Sequence, residues 1–143
     1  MAKSKHAKYI VTGLKIPEEK QRIAADYAKY ARRVLWMDEN VVEGAFHMNT
    51  AWFLKAAATL ENVPHTHDDP EIIGFFGSDP QHPNDLGAEV EIWLEDEKQI
   101  ITRSAMIFVP PKMVHCPLIL KRVDRPIFHF TVVTAGQYIR DDK

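Results

Sequence analysis

The sequence predicts a small all-β protein, a sandwich or barrel preceded by one N-terminal helix, and three observations carry that reading. Short apolar runs rich in Val, Ile, Phe and Thr recur through residues 40 to 135, with turn signals between them. No strand-helix-strand alternation of the kind that builds a parallel sheet is present. The chain is 143 residues long, which suits one domain (1–143) with a core of ordinary size rather than two.

The N-terminal helix is expected over residues 17 to 35. Pro17 suits a first helical position, Glu18 and Glu19 suit the positive end of the helix dipole, and Arg32 and Arg33 suit the negative end. Ile23, Tyr27, Tyr30, Ala31 and Val34 then form one apolar stripe, which needs a surface to cover. Strands or extended segments are expected at Val41–Ala45, Phe46–Lys55 and Ala56–Leu60, although Ala56, Ala57 and Ala58 alone would favour helix. Glu71–Phe76, Glu89–Leu94, Gln99–Thr102, Ala105–Val109, Pro117–Lys121 and Ile127–Thr134 follow as strands. Between them, residues 77 to 87 read as a surface loop long enough for a lid or a subunit contact.

Within this frame, His65, His67 and Glu71 fall within seven residues and share odd parity. In an extended chain alternate side chains share a face, so all three can point one way if the turn at Asp68, Asp69 and Pro70 preserves the alternation. His115, after the Pro110–Pro111 turn, is the natural further ligand. Three imidazoles and a carboxylate suit a borderline divalent ion, Fe or Mn first, with Ni, Zn or Cu also compatible, and suit calcium or magnesium poorly.

This arrangement resembles the cupin superfamily. His65, His67 and Glu71 match its first motif, Gly77 the glycine that closes it, and Pro110 to His115 the second motif. The glycine falls slightly early, the loop between the motifs is long, and Lys112 stands where glycine is common. The resemblance spans about residues 40 to 135 and implies a cupin-type antiparallel barrel or jelly roll. It also implies one transition metal on those four residues, a small-molecule substrate or ligand, and a homodimer. The leading expectation is therefore a metal-dependent enzyme, an oxidoreductase, isomerase or lyase, acting on a small oxygen-bearing organic molecule. The alternative is a cupin that binds or senses a small molecule without turnover.

Other residues read more plainly. His129 is a candidate acid or base in the last strand, weighed against a structural role, and His47 shares that ambiguity. His82 and His6 read as solvated, and Cys116 as a core residue facing away from the metal. Ile73 and Phe75 share the parity of Glu71 and could form an apolar wall, while Lys112 and Arg103 could draw an anion to the mouth. The 18 Lys and Arg against 20 Asp and Glu leave no basic footprint for nucleic acid. No apolar run suits a secretory signal or a membrane span, and one cysteine excludes an internal disulfide, so a cytoplasmic protein is expected.

Overall fold

The computed structural model describes residues 4–61 and 63–142, with the side chains of 59–61 left aside. Two antiparallel sheets face each other. The first has the order β1 (Ala31–Met37), β2 (His47–Phe53), β10 (Ile127–Val133), β5 (Glu71–Phe76), β8 (Ala105–Val109). The second has the order β11 (Asp141–Asp142), β4 (His65–Thr66), β9 (His115–Val123), β6 (Asp85–Leu94), β7 (Glu97–Arg103), with β3 (Ala57–Glu61) also paired to β9. Among the described residues, no helix is long and apolar enough to cross a membrane.

Period-two alternation organises the first sheet. His47, Asn49, Ala51 and Phe53 turn inward from β2, and the register sets them beside Val133, Thr131, His129 and Ile127 of β10. The next strand continues those rows with Glu71, Ile73 and Phe75. At one end of the barrel the space fills with apolar side chains, among them Phe53, Phe75, Leu86, Val90, Ile92, Leu120 and Ile127, each at most 1 % exposed. Each such side chain contributes about 1.5–3 kcal/mol by leaving water. Nearer the other end the inward residues are polar, and the site lies there.

The predicted helix over 17–35 is realised as two single turns, α1 (Glu18–Gln21) and α2 (Ala24–Tyr27), and its last part is strand β1. A strand wins because β2 offers a partner: Ala31 pairs with Phe53 and Met37 with Met48, across a bulge between Arg33 and Trp36. The Thr50 hydroxyl bridges that bulge, accepting from the Leu35 amide (2.9 Å) and donating to the Leu35 carbonyl (3.0 Å). The apolar stripe still finds a surface, since Tyr27 and Tyr30 pack on the core from above the barrel mouth. The sheets therefore run from residue 31 to residue 142, beyond the expected limits of 40 and 135.

The strand expected at Val41–Ala45 is a turn. Asp38 organises it: its carboxylate accepts from the Asn40 amide (2.8 Å) and the Trp36 indole (2.9 Å), and its carbonyl accepts from Val41 and Val42. Gly44 completes the turn at a φ of 84°. The loop after β5 does not serve as a lid, because Ser104 ties it down at the far end of the strand, donating to the Pro83 carbonyl and accepting from the Gly77 amide. Gly77 is tight against β6, since a Cβ there would lie 2.0 Å from the Asp85 carbonyl oxygen. Gly77→Ala is expected to cost roughly 1–3 kcal/mol of stability, read as a lower urea midpoint, and an unchanged midpoint would contradict this packing.

Candidate metal centre

Strand pairing brings the sequence-distant histidines together. His65 on β4 sits directly opposite His115 at the start of β9, and His67 follows as the chain turns toward β5, where Glu71 is the first residue. One ligand atom from each of His65, His67 and His115 lies within 4.8 Å of the others, and all three residues are buried. Such a group can hold a metal ion. Glu71 Oε1 reaches two of them, at 2.9 Å from His115 Nε2 and 3.3 Å from His67 Nε2. The structure thus brings together all four of the sequence-predicted ligands.

The hydrogen bonds of these rings fix their chemistry. His65 Nδ1 faces the Val63 carbonyl at 2.9 Å, His67 Nδ1 the Ile139 carbonyl at 2.6 Å, and His115 Nδ1 the Met113 carbonyl at 3.0 Å. A carbonyl only accepts, so each Nδ1 carries a proton and Nε2 is the ring atom turned toward the cluster. His67 Nε2, His115 Nε2 and Glu71 Oε1 are all buried without a hydrogen-bond partner, their mutual contacts being too poorly aligned to serve. Two ring nitrogens and a carboxylate oxygen buried together in this way fit a cation at their centre.

Burial and neighbours pull these groups in opposite directions. Burial pushes His65 down to about 4, well below the ordinary imidazole value. Burial would raise Glu71, but the adjoining imidazoles of His115 and His67 outweigh it and hold the carboxyl at about 2. Burial likewise depresses His67, yet Glu71 and the Ile139 carbonyl overcome it and the net direction is upward.

A cavity of about 100 Å³ opens beside the cluster. Ile73 lines it as expected, while Phe75 is fully buried and stacks on His129 instead. His129 lies in a sandwich of Phe53 (4.6 Å) and Phe75 (5.1 Å) with Nδ1 bonded to the Gly74 carbonyl, so its larger part is structural although its edge reaches the cavity. His47 stands on the cavity wall too, its ring against Trp36 and Tyr138 and its Nε2 3.5 Å from the Thr131 hydroxyl. Cys116 belongs to the core as expected, but at a φ of 77° the backbone breaks the alternation, and it lines the cavity together with His115. Lys112, where the resembling proteins have glycine, adopts the left-handed conformation at a φ of 67° that glycine would supply.

Several cavity residues lay outside the sequence reading. Tyr138, on the segment leading to β11, places its hydroxyl 3.4 Å from His65 Nε2, and the next carbonyl, Ile139, is the one that orients His67. The cations of the cavity are Lys20 and Arg33, whereas Lys112 and Arg103 are exposed and absent from its wall. The one signal that pointed toward Arg33 was the alternation in residues 31–37, masked by the competing helical stripe. His82 is exposed and bound to Asp79, and His6 is exposed, as expected.

No protein-family model matches the chain, and no curated protein matches its sequence. Solved structures do. The DMSP lyase DddQ from Ruegeria pomeroyi DSS-3 superposes with a TM-score of 0.53 at 14% identity, over 91% of this chain and 60% of that one. Recombinant oxalate oxidase in complex with glycolate gives a TM-score of 0.55 at 10% identity, over 94% of this chain and 63% of that one. A cupin 2 domain-containing protein from Halorhodospira halophila is also similar, with a TM-score of 0.49 at 12% identity, over 78% of this chain and 66% of that one. The chain thus spans about three fifths of the first two structures. The two-sheet architecture and the likeness to the first two structures define the fold as the cupin jelly roll.

The buried histidines make stability depend on acidity. Burial holds His129 at about 4 in the folded chain, against about 6.5 when unfolded. Between those values the unfolded state binds the extra proton, so the stabilisation is complete above about pH 6.5 and fades as pH falls toward 4. In EDTA-treated protein, His129 alone should account for about 2 kcal/mol of the stability lost between about pH 7.5 and 5. A His129→Phe variant should show a correspondingly shallower decline in denaturant midpoints, and equal declines would refute the assignment.

Proposed function

We propose that this chain is a metal-dependent cupin enzyme acting on a small oxygen-bearing organic molecule, with His65, His67, Glu71 and His115 as ligands of one divalent transition metal. The observation that carries the proposal is the buried cluster of three imidazoles, turned by their Nδ1–carbonyl bonds so that Nε2 faces inward, beside the buried Glu71 carboxylate. Iron or manganese suits this mixed nitrogen and oxygen set best. When bound, the ion would supply Lewis acidity toward a substrate oxygen or, as iron or manganese, redox chemistry.

The chain's own residues do the rest. The cavity admits only a small molecule, and Ile73, Phe53 and Leu118 give it a dry side. Tyr138 and His47 are the groups placed to give and take a proton beside the metal ligands. Their presence favours an enzyme over a module that only binds or senses. The similar structures include a lyase and an oxidase, which supports the same range of chemistry without choosing within it.

Metal content tests the ligand set. Protein purified without an affinity tag should hold close to one equivalent of transition metal, and His67→Ala and His115→Ala variants should lose most of it while keeping their far-UV circular dichroism. Folded variants that retain metal as well as the parent would overturn the assignment. With Fe(II) added anaerobically, nitric oxide should perturb the metal's spectrum, because four protein ligands leave positions open in an octahedral shell.

We also infer a homodimer built on the outer face of the first sheet. There Phe108, Ile72, Val132 and Met48 form one cross-strand row, with Met106 69 % exposed and Phe108 61 % exposed beside it. A two-fold pairing of two copies would cover this self-complementary apolar face. Light scattering should give the dimer mass for the parent and the monomer mass for Met106→Lys/Phe108→Lys. A monomeric parent would exclude the inference.

A further inference from the structure

We propose that Arg33 is the specificity residue of this cavity, and that it binds the carboxylate of a small organic acid whose other oxygens face the histidine cluster. The inference deepens the metal-enzyme reading above and rests on it.

Arg33 is unusual among the cations of this chain. It leaves β1 at the start of the bulge, and its side chain lines the same cavity as His65, Glu71 and His115. Nη1 donates to Asn49 Oδ1 at 2.8 Å, and Asn49 is itself a buried residue held on the inner face of β2. The guanidinium carbon lies 4.2 Å over the Tyr27 ring and 5.7 Å from that of Trp36, so two aromatic faces fix its plane. Asn49 and these rings leave the guanidinium little freedom to turn away.

What it lacks is a counter-ion. No carboxylate pairs with Arg33 among the described residues, its Nε is buried without a hydrogen-bond partner, and Nη2 has no protein acceptor there either. Tyr27 does not supply the negative charge, because burial pushes its phenol up to about 12 and keeps it neutral. Burial also pulls Arg33 below its ordinary value, the direction expected of a cation stripped of water. A desolvated cation without a partner is costly, and a chain that places one on a cavity wall has left the compensating charge to a ligand.

The chemistry of that ligand follows from the donors. Adjacent N–H groups in a planar fork match the two oxygens of a carboxylate, which a single-point amine would not discriminate. Lys20 lines the cavity as well, with its ammonium 5.1 Å from the Tyr138 ring. A cavity of about 100 Å³ suits a small acid.

The test uses two series of hydroxamates, whose chelating head requires the metal. The first comprises malonic, succinic and glutaric monohydroxamate, and the second the neutral alkyl hydroxamates in which methyl replaces the carboxylate. Both are titrated calorimetrically into the full chain loaded with Mn(II). The parent should prefer the acid by about tenfold or more at one spacer length at least, as a charged hydrogen-bonded pair provides. Arg33→Met should abolish that preference while keeping its Mn(II) and its affinity for the neutral series, and Arg33→Lys should restore only part of it. Equal binding of acid and neutral partner at all three spacer lengths, in the parent, overturns the role of Arg33 and leaves the metal site standing. A protein that holds no Mn(II), or holds it and binds neither series, overturns the metal-enzyme reading and this inference with it. The parent comparison decides the matter even if Arg33→Met fails to fold.

Discussion

Three backbone carbonyls govern the site end of this barrel. Val63, Met113 and Ile139 each take the Nδ1 proton of a histidine, and that choice forces the lone pairs of three imidazoles to the far side of their rings, around Glu71. Rotating any one ring would cost a buried donor its acceptor, on the order of 1–3 kcal/mol. The tautomers are therefore set by the fold before any ion arrives, and the site is organised in advance of what it holds. Each carbonyl belongs to a different stretch of chain, so the site is assembled only when β4, the turn before β9, and the segment before β11 are all in place.

That dependence explains the otherwise odd C-terminal segment. β11 is two residues long and pairs with β4, itself two residues long, which is far too little to persist alone. What fixes it is the set of contacts made on the way: Glu39 accepts from Gln137 and its amide donates to the Gly136 carbonyl, His47 donates its amide to the Ala135 carbonyl, and His67 bonds to Ile139. Gly136 is tight here, since a Cβ would lie 2.2 Å from Glu39 Oε2. The segment that carries Tyr138 into the cavity is thus held by the turn at Asp38 and by the site it completes.

How much of this was legible in the sequence follows from how local each signal is. Glu71–Phe76 and Ala105–Val109 were readable to the residue, because alternation and flanking turns mark them without help from elsewhere. The meeting of His65, His67, Glu71 and His115 was legible for the same reason, being set by parity and by two proline-marked turns. Residues 31 to 37 were not, since their apolar positions satisfy a helical period as well as a strand period and only the open edge of β2 decides between them. Cys116 was misplaced because parity reasoning assumes an unbroken pleat, and a φ of 77° breaks it. Tyr138 carries no local signal at all, as its role arises from 73 residues of separation closing onto His65.

The same competition in residues 31–37 connects fold to selectivity. Had the helix continued, Arg33 would have lain on its outer turn among the charged residues that close it, solvated and without consequence. Pairing with β2 instead turns Ala31 and Arg33 to the inner face by alternation, and the bulge between Arg33 and Trp36 brings Trp36 to that face as well, so that Asn49, Tyr27 and Trp36 hold the guanidinium at the cavity. The preceding turns at Glu18–Gln21 and Ala24–Tyr27 then close over the mouth, supplying Lys20 and Tyr27 to the same wall. One local choice between two backbone periods therefore sets three features at once: the edge of the first sheet, the roof of the cavity, and the charge that faces whatever enters it.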